Sequence, residues 1–282
     1  MNLEVNQLTK TYKDKNALNN INLIFEPNKI YGLLGRNGAG KSTLLNIINN
    51  RSIPTSGKVT FGGESILDNE SLLTYVYLMS EDNLFPSNMK IKEMFHISES
   101  FYGSFDWELA NKMSVEFELN LKQTFKKLST GYRSIAKLIV ALCVPCDYVF
   151  LDEPVLGLDA THRDLFYTFL IQAYEDRPRS FIISTHLIEE ITTLLEEIII
   201  IDKGQVKIAS DTESLLQKNF VISGPKGIIN TFSSNLNILG CDELGDYITL
   251  YVSGELPTDI PDTISINHLN LQNYFVQLTK RK

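Results

Sequence analysis

Apolar positions along the chain follow two rhythms. Short apolar runs at residues 3–8, 21–25 and 30–34, separated by turn formers such as Pro27-Asn28, predict strands, and a glycine-rich loop after the third run opens a helical pattern from Leu44. This is how an α/β domain begins. Between about residues 82 and 145 the rhythm becomes helical: Ile91, Met94 and Phe95, then Leu109, Met113 and Phe117, then Ile135, Leu138, Ile139 and Leu142 recur at helical spacing. That segment reads as a helical insertion. Beyond it, Tyr148-Val149-Phe150-Leu151 and Phe181-Ile182-Ile183-Ser184 are unbroken apolar runs, the pattern of parallel strands covered on both faces. A further run, residues 198–201, meets the turn Asp202-Lys203-Gly204 and predicts two strands joined there. From about Asn219 the chain is richer in Ser, Gly, Asn and Pro, with strand-like runs at 220–223 and 247–252 and a last amphipathic helix at 271–278. The expected division is an α/β unit over 1–218, with its helical insertion, and a small α+β extension over 219–282.

Composition narrows the function classes. The 282 residues carry 26 Lys and Arg against 34 Asp and Glu, a formal charge of −8, which opposes partners bound by neutralising many phosphates along a polymer. Nucleic acid is therefore not an expected partner. No apolar run approaches the roughly 18 residues that span a bilayer, and the start lacks a basic and then apolar leader, so any membrane association is expected to come through another chain. Three cysteines are too few for a disulfide framework. Cys143 and Cys146 form a C-x-x-C, but the apolar helical pattern before Pro145 reads them as small core residues at a helix end.

The sharpest chemistry lies at Gly35-Arg36-Asn37-Gly38-Ala39-Gly40-Lys41-Ser42-Thr43, which satisfies G-x-x-x-x-G-K-[ST] between an apolar strand and a helix. Glycines there let consecutive backbone N–H groups turn toward the β- and γ-phosphates of a nucleotide, and the helix N-terminus adds a favourable dipole. Lys41 neutralises phosphate charge and Ser42 can ligate Mg²⁺. A second buried strand ends in Asp152-Glu153, where Asp152 can hold Mg²⁺ through water and Glu153 is placed to polarise an attacking water. Alone, such an Asp-Glu pair is as readily an ordinary salt-bridging site; the phosphate loop changes that balance.

At Lys127-Leu128-Ser129-Thr130-Gly131-Tyr132-Arg133, followed by a helix and the Asp-Glu strand, the sequence resembles the ATP-binding subunits of ABC transporters. Leu128-Ser129-Thr130-Gly131 is similar to that family's signature motif. Tyr12 matches the adenine-stacking position, Gly157-Leu158-Asp159 the D-loop, and Ser184-Thr185-His186 the switch histidine, all in family order over roughly residues 1–215. The resemblance implies a P-loop ATPase with a mixed sheet, ATP and Mg²⁺ as ligands, and a head-to-tail dimer with a second ABC ATPase subunit, either an identical copy or a paralogue. Each ATP would lie between one subunit's phosphate loop and the other's Ser129 and Gly131; Asp159 would touch the facing protomer, and His186 would sense the γ-phosphate. It also implies a separately encoded integral-membrane permease and a peripheral position on the cytoplasmic face of the cell membrane.

The departures are as specific. Ser80, followed by Glu81 and Asp82, stands where the family carries its Q-loop glutamine; Thr130 replaces a glycine, Tyr132 a glutamine, and Val155 a Thr or Ser. Either Glu81 or Asp82 substitutes for the missing amide, or a water does. Phe95, Phe101, Tyr102, Phe105 and Trp107, near Met89 and Met94, read as a subdomain core, as a groove for a permease helix, or as both. The patterns around Phe101-Tyr102, Trp107 and the end of the chain resemble Gram-positive exporter ATPases for antimicrobial peptides, toxins or drugs. Two rival readings from the same motifs are a soluble ABC ATPase acting on ribosomes or DNA, and an ATP-sensing interaction module.

Overall fold

The computed structural model describes residues 1–233, 236–257 and 259–280. Its centre is a six-stranded sheet of β3 (Ile30–Leu34), β6 (Val76–Met79), β7 (Tyr148–Asp152), β8 (Ser180–Ser184), β9 (Glu197–Asp202) and β10 (Gln205–Asp211), in the order β10-β9-β3-β8-β7-β6. Every pair in it is parallel except β9 with β10. An antiparallel sheet of β1 (Leu3–Tyr12), β2 (Lys15–Phe25), β4 (Ser56–Phe61) and β5 (Glu64–Ser65) covers one face. Helices cover the other, among them α3 (Ile91–Tyr102), α4 (Trp107–Glu116), α5 (Thr130–Cys143), α6 (Ala160–Asp176) and the single turn α7 (Ile188–Ile191); α1 (Lys41–Ile48), α2 (Glu70–Leu73) and α8 (Thr212–Gln217) link strands.

Two apolar layers explain why the central strands are apolar throughout. Successive side chains of a strand point to opposite faces. Val149 and Leu151, like Ile198 and Ile200, enter the core beneath the helices, whereas Tyr148 and Phe150, like Ile199 and Ile201, enter the core between the two sheets. The Tyr148 hydroxyl, buried in the second layer, lies 2.7 Å from the Met1 carbonyl oxygen and 2.9 Å from that of Phe25, so its polar atom is satisfied.

Helices α3 and α4 bury Ile91, Met94, Phe95, Leu109 and Met113, and Phe117 at the end of α4 is buried with them. Arg179, just before β8, donates to the Leu142 and Val144 carbonyl oxygens and caps the C-terminal end of α5; burial pushes its guanidinium down to about 10. Cys143 and Cys146 are buried and unbridged, and Cys146 donates to the Thr74 carbonyl oxygen at 3.3 Å. Burial pushes the Cys146 thiol up to about 12 and Cys143 higher still, which leaves no reactive thiolate there. The apolar pattern announces no strand at Ser56–Phe61 or Val76–Met79. Both are too short for periodicity to tell a strand from a helix segment, and partners found elsewhere in the chain settle them.

Toward the C-terminus, β11 (Asn219–Pro225), β12 (Asn237–Leu244), β13 (Tyr247–Ser253) and β14 (Ser265–His268) form a third, antiparallel sheet in the order β12-β13-β11-β14, packed on α9 (Lys226–Phe232) around Ile222, Ile229 and Leu250. Helix α10 (Leu271–Thr279) does not join that core. Its Leu271 and Tyr274, with Leu269, belong to the core beneath the helices of the central sheet, against α7.

Candidate active site

The topology brings separated motifs to one edge. Leu33 of β3 and Asp152 of β7 both lie opposite Ser184 of β8, and Met79 of β6 lies opposite Leu151. Because the strands are parallel, the loops that follow them emerge together at their C-terminal ends, where open α/β sheets bind ligands. These loops carry the glycine-rich segment, Ser80, Glu153 and His186.

The phosphate loop is shaped by backbone conformations that glycine favours. Gly38 and Gly40 have φ of +78° and +115°, and a Cβ on Gly40 would sit 2.6 Å from the Ala17 carbonyl oxygen. Helix α1 starts at Lys41 with no side-chain cap, so its first N–H groups are free to receive an anion. The Lys41 ammonium donates to the Gly35 carbonyl oxygen at 2.7 Å. Burial lowers its pKa, and the charges of Glu153 and Asp152 act in the opposite direction.

Asp152 is buried at the end of β7. Glu153 follows with φ +48°, a left-handed conformation of about 1–2 kcal/mol for a residue with a Cβ, and its N–H donates to the Ser184 carbonyl oxygen at 2.8 Å. That strained turn lifts its carboxylate off the strand toward the loop. The His186 Nδ1 lies 2.9 Å from Glu153 Oε2, with the histidine side chain 63% exposed and the glutamate 16%. Imidazole N–H donation orients the carboxylate.

Residues 36–43, Tyr12, Asp152 and Glu153 line one cavity of about 570 Å³, together with Ser80, Glu81 and Asp82. Tyr12 is half exposed on its wall, with the Lys10 ammonium 4.9 Å from the ring centre. Lys15, Ala17 and Asn46 line it too, and sequence reasoning misses them. Only Asn46 carries a signal, since it stands one helical turn beyond Ser42 on α1. Ser42 and Asp152 are hard oxygen donors of the kind Mg²⁺ takes. Among the described residues no three His, Cys, Asp or Glu side chains converge as a metal cage.

Ser129, Gly131 and Asp159 do not line this cavity. They lie at another edge, packed on one another's segments. Ser129 caps α5 by accepting from the Tyr132 N–H at 3.3 Å, Asp159 caps α6 by accepting from the His162 N–H at 2.9 Å, and Ser134 Oγ donates to the Leu156 carbonyl oxygen at 3.0 Å. The His162 N–H, with its ring beside it, holds the Asp159 carboxyl below the usual carboxylate range. A Cβ on Gly131 would meet the Gly157 carbonyl oxygen at 2.6 Å, so glycine is needed there by a contact within the chain.

The Ser80 hydroxyl accepts from Arg51 Nη1 at 3.0 Å, and Arg51 Nη2 donates to the Leu78 carbonyl oxygen at 2.8 Å. The aromatic set of the helical insertion divides. Phe95, Phe105 and Met94 are core, and Trp107 Nε1 donates to Glu99 at 2.8 Å. Phe101, 74% exposed, lines a mainly apolar groove of about 870 Å³ with Tyr102, Phe85 and Met89.

Comparison with known proteins agrees with this geometry. Residues 18–156, which hold the phosphate loop, Ser129, Gly131, Asp152 and Glu153, match the ABC transporter family. The ABC transporter ATP-binding protein YtrB of Bacillus subtilis is 26% identical over 251 residues, covering 89% of this chain and 86% of that protein. The bacitracin transport ATP-binding protein BcrA of Enterococcus faecalis is 28% identical over 225 residues, covering 77% and 71%. Among solved structures, a dimeric ATP-binding cassette in a post-hydrolysis state with ADP and Pi aligns at a TM-score of 0.65 and 24% identity, covering 74% of this chain and 98% of that one. Over residues 18–156, just under half of the chain, the sequence matches an ABC transporter ATP-binding domain, a domain of the ABC ATPase type.

Proposed function

We propose that this chain is the energy-supplying subunit of an exporter, binding Mg-ATP at the phosphate loop and hydrolysing it with Glu153 to drive a separately encoded membrane permease. One observation carries the reading: the loop, Asp152 and Glu153 share a cavity with His186 on the Glu153 carboxylate, while Ser129, Gly131 and Asp159 stand outside it. A site so divided is completed by a second subunit, identical or paralogous, placed head to tail. The dimeric cassette with ADP and Pi supports that arrangement. Residues 1–218 then form the ATPase, and residues 219–282 an extension.

In this reading Tyr12 stacks on adenine and backbone N–H groups of residues 36–43 hold the β- and γ-phosphates. Lys41 offsets phosphate charge. Mg²⁺, held by Ser42 and by Asp152 through water, would neutralise charge developing on the phosphate oxygens. Glu153 accepts a proton as water oxygen bonds to the γ-phosphorus and the bond to the β-phosphate oxygen breaks, leaving ADP. The proton passes on to the phosphate product. His186 keeps the carboxylate aimed, and the facing subunit's signature segment brings a Ser129 hydroxyl, a Gly131 N–H and the α5 dipole to the γ-phosphate.

The groove beside Phe101 is the docking place for a permease helix, since adaptable Met and aromatic side chains line it. No helix among the described residues is long and apolar enough to cross a membrane, which suits a peripheral subunit on the cytoplasmic face. Export of peptides, toxins or drugs is supported by the bacitracin transport protein among its relatives. Liposomes holding the chain and a candidate multi-span permease should hydrolyse ATP faster than the chain alone and move bacitracin in an ATP-dependent way. Sedimentation of the chain with ribosomes, and no stimulation by a membrane partner, would overturn the reading.

Gly131→Ala tests the interface. A methyl group so close to the Gly157 carbonyl oxygen must displace the signature or the D-loop, at about 1–3 kcal/mol. Nucleotide titration should find ATP affinity within about threefold of wild type, and chromatography with ATP should find the dimer lost.

A further inference from the structure

Two buried cations of the described residues take no part in the proposed reaction: Arg179, which caps α5, and Lys137. Lys137 lies on α5 at only 9% exposure, the one charged side chain between Ser134 and Cys143, and its Nζ donates to the carbonyl oxygens of Ser80 at 2.7 Å and Glu81 at 3.0 Å. Burial lowers its pKa, against the charges of Asp82 and Glu81. From the other side Arg51, just past α1, holds the Ser80 hydroxyl and the Leu78 carbonyl oxygen. The turn at residues 80–82 is thus gripped from just beyond the helix that begins at the phosphate loop and from the helix that begins at the signature. Ser80 and Asp82 line both the nucleotide cavity and the apolar groove, so this turn is the wall between them.

We propose that Lys137 is a positioning residue for hydrolysis: from the signature helix it holds the 80–82 turn in place at the nucleotide cavity, a tie made to backbone rather than to a Q-loop side chain. An ammonium has three donors and can hold two peptide carbonyls at once, which neither the Ser80 hydroxyl nor an apolar residue on α5 could do. Ser129 lies eight positions earlier, about 12 Å along a rigid helix. A shift of the turn when the protomer's own site fills therefore moves the signature that faces the second site. The inference rests on the hydrolytic reading above, and its test includes an arm that needs no turnover.

Lys137→Met, Lys137→Gln and Lys137→Arg in the full chain separate positioning from folding. Lys137→Met should leave the dissociation constant for a fluorescent ATP analogue within about twofold of wild type and lower kcat at least about tenfold. Amide hydrogen exchange over residues 80–85 should quicken about tenfold, with residues 36–43 unchanged. Lys137→Gln, which keeps a donor, should fall between Met and wild type, and Lys137→Arg should restore kcat to within about threefold. A kcat unchanged in Lys137→Met, or a loss of kcat matched by an equal loss of ATP affinity and not rescued by Arg, would overturn the proposal. So would unchanged exchange over residues 80–85. A wild-type chain that turned over no ATP would by itself strike the hydrolytic reading instead.

Discussion

Glu153→Gln is expected to bind ATP as well as wild type and to hydrolyse it at least about a hundredfold more slowly. The substitution keeps shape and removes the one group placed to take a proton. The backbone turn and its N–H bond to Ser184 do not depend on the side chain, and an amide oxygen still accepts from His186 Nδ1. What changes is basicity, a contribution of about 10² to 10⁴-fold in general-base catalysis. Removing a negative charge beside the phosphates does not weaken ATP binding. In the proposed cycle hydrolysis reopens the dimer, so the variant should accumulate as a dimer in Mg-ATP, visible by size-exclusion chromatography. Phosphate release at the wild-type rate would remove Glu153 from the chemistry.

Lys41→Ala should act at the earlier step. The Lys41 ammonium is enclosed at the phosphate loop, where burial already disfavours its charge. An incoming phosphate adds negative charge in direct contact with it, and a hydrogen bond between charged groups in such a place contributes about 2–3 kcal/mol. ATP affinity should therefore fall about thirtyfold to 150-fold, and turnover should drop below detection. The thermal midpoint of the nucleotide-free protein should change little, because the hydrogen bond lost there is a single one to the Gly35 carbonyl oxygen. Wild-type affinity in a calorimetric titration would contradict the assignment of the loop.

Much of the architecture is legible in the order of residues. Central strands declare themselves as continuous apolar runs, because both of their faces are covered. The phosphate loop is visible because its chemistry requires residue types in a row: glycines for positive φ, then lysine, then a hydroxyl. Helix α6 is not visible in this way. It buries Phe166, Tyr167, Phe169, Leu170 and Ala173 on a broad face between other elements, so no clean amphipathic stripe marks it. Phe101 misleads differently. Its spacing from Met94 puts it on the buried face of α3, yet it lies at the helix end, past the core that covers that face.

By itself, then, the sequence determined the class of the fold, the phosphate loop, the Asp152-Glu153 strand end and the order of the family's motifs. Each of these is written in neighbouring residues. Tertiary structure alone decided that α10 packs on the core under the central sheet, that Gly131 lies against Gly157, and that Lys137 grips the turn at Ser80. The physical reason is the nature of the partners. Lys137 binds carbonyl oxygens more than fifty residues away, and Gly131 makes room for the carbonyl oxygen of Gly157. Every residue has such an oxygen, so side-chain types cannot announce which one will be chosen; only the register and packing of the folded chain select it.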